Sequence, residues 1–169
     1  YVSSPIGNGA DDLDSDANLM GVTNPITLLS GENNLTIDAG FYLPASLGNY
    51  VWEDKNANGQ QDNGEPFISN VAVALLDQTG DTALNNDGIP VTSTTTNNLG
   101  IYNFTNLKPG QIYVVQFTAP SGYVVTSQNI GADISDSDAA ILTGKSAEVI
   151  LISGENNITI DAGYYIPAK

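Results

Sequence analysis

The sequence predicts an all-β protein, an antiparallel β-sandwich set out in tandem modules, and three observations predict it. Short apolar-alternating runs recur between Gly-, Pro- and Asn-rich turns. No stretch carries a capped apolar stripe of helical period. A long segment near the start of the chain also returns near its end.

The duplication sets the domain organisation. LSGENNLTIDAGFYLPA at 29–45 returns as ISGENNITIDAGYYIPA at 152–168, and GADDLDSDA at 9–17 returns as GADISDSDA at 131–139. The period of 122 to 123 residues is too long for a solenoid unit and fits an array of whole domains. Residues 1–45 then read as the closing third of one module. Residues 46–169 read as one complete module, with Lys169 aligning with Ser46.

Within the complete module, Val71, Val73 and Leu75 alternate with small residues. Tyr102 and Phe104 share a face, as do Tyr113, Val115 and Phe117, and so do Ile158, Ile160, Ala162 and Tyr164. Turn signals at NNLG (97–100), KPG (108–110), PSG (120–122) and SGENN (153–157) separate these runs. Such spacing suits a sandwich of immunoglobulin-like size. For 47–52 and 147–152 the pattern leaves the inward face undecided. Trp52 reads as a core aromatic, and Tyr164 and Tyr165 point to opposite faces of one strand.

Composition narrows the function. Nineteen acidic residues face four lysines and no arginine, a formal net charge of −15. Nucleic acid and anionic membrane surfaces are bound through Lys and Arg, so both are poor partners. Cysteine and histidine are absent, which excludes disulfides, thiolate and His-dependent catalysis, and the usual zinc sites. Self-repulsion on this scale calls for cations.

DKNANGQQDNGE at 54–65 has the spacing of an EF-hand calcium loop, without helical flanks. Asp54, Asn56 and Asn58 occupy positions one, three and five, and Gly59 supplies the turn at six. Gln60 offers a backbone carbonyl at seven, and Asp62 and Glu65 fall at nine and twelve. A second acidic motif, Asp133, Asp136 and Asp138, has its copy at Asp11, Asp14 and Asp16. Three carboxylates so close repel unless a cation separates them, although they lack EF spacing. Asp161 and Asp38, on the expected polar face of the closing strand, are candidate further ligands. A solvated acidic turn is the competing reading of both copies.

The residues of LGNYVWEDKNANGQQDNGEPFISNVAVALLD and LGIYNFTNLKPGQIYVVQFTAPSGY, with the DSD and TIDAGYY segments, resemble the B-like domains of bacterial serine–aspartate-repeat surface proteins. These fall within the prealbumin-like, collagen-adhesin B-type class. The resemblance covers nearly all of 46–168, and 1–45 matches its last third. It implies calcium-stabilised, rod-like spacer modules on the bacterial surface, with no catalysis. Thr96-Asn97 departs from the family's Thr-Asp and is expected to lose a polar contact, and 79–90 is longer than the usual hairpin. Some of the class form Lys–Asn or Lys–Asp isopeptide bonds, which need a buried lysine. None of Lys55, Lys108, Lys145 and Lys169 holds an apolar strand position.

Two functions from different classes follow. One is a calcium-stiffened stalk, adhesin or filament module whose partners are neighbouring copies, in the same chain or head-to-tail between chains. The other is an adhesin module that recognises a surface ligand. The near-identity of the repeated segments favours the structural role.

Overall fold

The computed structural model describes residues 1–168, and Lys169, the predicted last residue of the complete module, lies outside them. The described residues hold strands and turns and no helix, so the all-β expectation stands. Two compact units divide between Pro44 and Ala45, one residue from the boundary that the repeat suggests.

The first unit contains β1 (Val2–Ser3) and β2 (Phe41–Tyr42), which pair antiparallel. The second contains β3 (Ala45–Leu47), β4 (Val51–Glu53), β5 (Ala72–Leu76), β6 (Thr94–Thr95), β7 (Phe104–Leu107), β8 (Ile112–Phe117), β9 (Val124–Val125), β10 (Val149–Ile150), β11 (Asn156–Asn157) and β12 (Ala162–Tyr165). One sheet of the second unit runs β10-β8-β5-β6, all antiparallel. Two three-stranded sheets, β11-β3-β7 and β4-β12-β9, make up its remainder. The module's first strands pair parallel with its last: β3 with β11 and β4 with β12.

Alternation of side chains puts the core where the sequence pattern places it. Val71, Val73 and Leu75 are buried from one run, and Tyr113, Val115 and Phe117 from another. Tyr102 packs edge-on against Phe104 and Phe117, with ring centroids 5.8 and 5.4 Å away. Its hydroxyl donates to the Ile160 carbonyl at 2.6 Å, so the closing segment is tied to the core by a polar contact as well as by burial.

Ile158 departs from its expected face. Ile160, Ala162 and Tyr164 are buried, but Ile158 is 45% exposed. Asn157 Oδ1 accepts the Thr159 N–H at 3.1 Å, and this local turn rotates Ile158 outward before the strand resumes at Ala162. The expected loss at Asn97 is likewise corrected: its Oδ1 accepts the N–H groups of Leu99 and Ile101, so amide replaces carboxylate in that turn. Residues 79–90 extend the β5 hairpin. Ala83 donates to Leu75 and accepts from Val91, and its methyl group is buried.

The two units share the pairing register of one pair of closing strands. Val2↔Tyr42 matches Val124↔Tyr165, and Ser3↔Phe41 matches Val125↔Tyr164. Burial differs sharply. Tyr164 is fully buried while its counterpart Phe41 is 55% exposed. Leu28, Leu29, Leu35 and Ile37 are exposed with it.

Trp52 is fully buried in β4, opposite Gly163 of β12. A Cβ on Gly163 would stand 2.7 Å from Trp52 Cζ2 and 2.6 Å from Thr126 Cγ2, so glycine is needed for contact between these strands. Gly163→Ala should therefore cost about 1–3 kcal/mol through overpacking. Urea unfolding followed by Trp52 fluorescence checks this, and an unchanged midpoint would refute the packing account.

Candidate metal centres

The 54–65 loop is organised by its own oxygens. Asp54 is buried and accepts three hydrogen bonds, from the N–H groups of Asn58 (3.2 Å) and Gly59 (2.7 Å) and from the Thr126 hydroxyl (2.5 Å). Asn56 and Asn58 accept from the backbone two residues on, at 3.0 and 2.8 Å, which winds the chain into successive turns. Their amide groups both donate to Asp62 Oδ2, at 2.8 and 2.9 Å, so three predicted ligands already meet at one point. Glu65 closes the ring, accepting the N–H groups of Lys55 (2.8 Å) and Asp62 (3.0 Å). Gly59 has φ +85°, and a Cβ there would lie 2.7 Å from the Ser127 carbonyl. Only glycine combines that dihedral with so close an approach.

The second acidic motif lies directly beside this loop. Gln60 forms a β-bridge with Asp136, and the Gln61 N–H donates to the Ser135 carbonyl at 2.8 Å. Asp133, Asp136 and Asp138 converge, each offering an oxygen within 4.8 Å of the others. Asp136 and Asp138 are buried and Asp133 is exposed. Asp136 Oδ1 is a buried oxygen with no hydrogen-bond partner among the described residues. An anionic oxygen left so is costly, and a cation is the natural complement.

Asp161 corrects one expectation. It is not on a polar face: it is 1% exposed, and its carboxylate accepts from the Tyr50 N–H (3.0 Å) and from Asn49 Nδ2 (3.1 Å). It anchors the residues leading into β4 and stands outside the converging trio. Asp138 bridges to the same segment, with its N–H donating to the Asp161 carbonyl and its carboxylate accepting the Asp161 N–H at 2.6 Å. Ser137 adds a hydroxyl to the Gly163 N–H at 3.1 Å.

The first unit repeats these bonds. Asp16 exchanges both contacts with Asp38, and Ser15 Oγ accepts from the Gly40 N–H at 3.2 Å. Asp38 is exposed, unlike Asp161. Asp11, Asp14 and Asp16 do not form a converging trio, and Asp14 instead accepts from the Gly9 N–H at 3.1 Å.

Burial pushes the Asp138 carboxyl up to about 7 and that of Asp161 up to about 8, against the hydrogen bonds that favour their ionised forms. Burial, then repulsion from Asp133, raises Asp136 as well. Thr126, Asn49 and Ser137 were not legible as site residues. Each lies far along the chain from the group it holds, and single hydroxyls and amides carry no spacing signature.

A β-sandwich whose acidic turns are tied to its closing strand defines a structural repeat module. A family profile described as SdrD B-like domain matches residues 45–164, and the chain belongs to that family. Its members are non-enzymatic modules of bacterial surface proteins. Serine-aspartate repeat-containing protein F of Staphylococcus epidermidis is 41% identical over 96% of this chain and 8% of its own length. Serine-aspartate repeat-containing protein D of Staphylococcus aureus strain MW2 is 40% identical over 100% of this chain and 11% of its own. The chain thus spans only a small part of these relatives. Among solved structures, GBS52, the minor pilin of Streptococcus agalactiae, is similar at 15% identity and a TM-score of 0.48, covering 84% of this chain and 59% of that one.

The raised carboxyls have a pH consequence. Folded pKa values above the ordinary 3.8 mean that the native metal-free protein keeps protons that the unfolded chain has released. Stability from Asp138 and Asp161 is therefore complete below about pH 4 and is lost as pH rises through about 7 to 8. In chelator, the urea midpoint should fall between about pH 5 and 8.5, and Asp138→Asn should flatten that fall. A rising midpoint in the wild type would contradict the assignment.

Proposed function

We propose that residues 45–168 form a calcium-stiffened structural module of an extracellular bacterial stalk, adhesin or filament. The observation that carries this reading is the partnerless buried oxygen of Asp136, set between two further carboxylates. No described lysine is buried. The 54–65 loop fits the same ion: Asp54, Asn56, Asn58, Asp62 and Glu65 would turn side-chain oxygens inward, and Gln60 would add its carbonyl. Calcium supplies charge neutralisation and a hard centre for oxygen ligands; the residues supply the cage and its attachment to the sandwich. Thr126 would hold Asp54 in place, and the Gln60–Asp136 bridge would join the two sites.

Residues 1–44 are the closing third of a preceding module. The Asp16–Asp38 and Ser15–Gly40 hydrogen bonds repeat those of the second unit, and exposed Leu28, Ile37 and Phe41 match Leu151, Ile160 and Tyr164, which the complete module buries. The opening strands of another copy supply the cover, from sequence upstream in a longer chain or from a neighbouring chain. Once covered, Asp11, Asp14 and Asp16 would take the arrangement of Asp133, Asp136 and Asp138 and offer the same oxygens to an ion.

Calcium should raise the melting temperature at fixed ionic strength. A site filled at 100-fold excess over its dissociation constant contributes about 2.7 kcal/mol. Asp54→Asn and Glu65→Gln should remove most of the loop's share, and Gln60→Ala should be nearly silent because its contribution is backbone. Calorimetric titration of the three variants decides this, and equal loss in all of them would refute the loop geometry. An unchanged wild-type melt on adding chelator would refute calcium stabilisation.

Hydrogen exchange tests the reading of the first unit. Amides at 1–44 should exchange far faster than their equivalents at 123–168, because the second unit adds burial and pairing with β3, β4 and β8 to the contacts that the two copies share. Equal protection in a demonstrated monomer would overturn it.

A further inference from the structure

We infer that Asn63 is a site of spontaneous backbone modification, conversion of asparagine to aspartyl and isoaspartyl residues. The chain holds three Asn-Gly pairs, Asn8-Gly9, Asn58-Gly59 and Asn63-Gly64. In each, the following residue has no Cβ to keep its amide nitrogen from the asparagine carboxamide. The nitrogen attacks Cγ, the Cγ–Nδ2 bond breaks, and ammonia leaves a five-membered imide. Water then opens the ring at either carbonyl, giving aspartate or isoaspartate.

The structure separates the three. Gly9 N–H donates to Asp14 Oδ2 at 3.1 Å, and Gly59 N–H donates to Asp54 Oδ2 at 2.7 Å. A carboxylate on that N–H opposes the proton loss that makes the nitrogen nucleophilic and holds it away from the side chain. Gly64 N–H has no such partner among the described residues, and neither has the Asn63 carboxamide. Both residues are exposed, Gly64 has φ +93°, and nothing lies within 4 Å of where its Cβ would be. The neighbouring carboxylates are engaged elsewhere, Asp62 by Asn56 and Asn58, and Glu65 by two backbone N–H groups. The two carboxylates that shape the acidic turns thus protect their own Asn-Gly pairs and leave the third open.

Isoaspartate routes the main chain through the β-carbon and so lengthens the path between Asp62 and Glu65. Resting on the calcium reading above, this displaces two ligands of the loop relative to each other.

The test is incubation of the full chain in mildly alkaline buffer, with timed peptide mapping by mass spectrometry and enzymatic methylation of isoaspartate. Conversion at Asn63 should run several-fold faster than at Asn58 or Asn8, and Asn63→Gln should abolish the early phase. Comparable rates at all three would overturn the assignment. So would an intact Asn63 under conditions in which the urea-unfolded chain converts. Calcium chloride melts of the isolated isoaspartyl form test the coupling. A smaller calcium-dependent rise than in the unmodified chain supports it, and an equal rise overturns the coupling while leaving the modification site standing. An unmodified chain that ignores calcium would refute the calcium reading, and the coupling with it, without touching the mapping result.

Discussion

The rest of the structure depends on how a chain with nineteen acids and four lysines places its carboxylates. Ion pairs are too few to neutralise them, so backbone N–H groups take over. Asp54 holds a turn, Asp138 holds the closing segment, and Asp161 holds the residues leading into β4. Each of these hydrogen bonds fixes a backbone group that strand pairing does not reach, which makes each of these acids a structural clasp. The clasps concentrate where the chain is irregular, between β4 and β5 and between β9 and β12. Strand pairing alone would leave those stretches loose.

Clasps and core contribute differently, and the duplicated segment separates them. In the first unit the Asp16–Asp38 exchange and the Ser15–Gly40 contact persist while Phe41 and Ile37 stay exposed. In the second the same bonds lie over buried Tyr164 and Ile160. Local polar geometry is therefore written into the repeated segment itself. The hydrophobic contribution comes from strands that lie elsewhere in the module, and burying a large side chain fully contributes about 1.5–3 kcal/mol.

The same division explains what was legible in the sequence. The turns of 54–65 were, because consecutive Asx turns impose a spacing that survives as a string of letters. The strands of the core were, through alternation at Val71, Val73 and Leu75. Ile158 was not: a side-chain turn at Asn157 breaks the alternation, and periodicity assumes unbroken strand. Asp161 was misplaced for a related reason, since a carboxylate that finds two long-range donors can be buried where pattern alone puts it outside. Thr126 reaches Asp54 across 72 positions, a relation that only the folded chain creates.

The parallel pairing of β3 with β11 and of β4 with β12 has a mechanical meaning. The module's entering and leaving strands lie side by side and run the same way. Tension applied through the chain at its two ends therefore pulls these strands lengthwise past each other. The rungs between them share the load at once, where a hairpin pulled open at its ends would release one rung at a time. The polar clasps to Asp161 bridge the same seam. Traction along the chain thus meets this module in its stiffest direction.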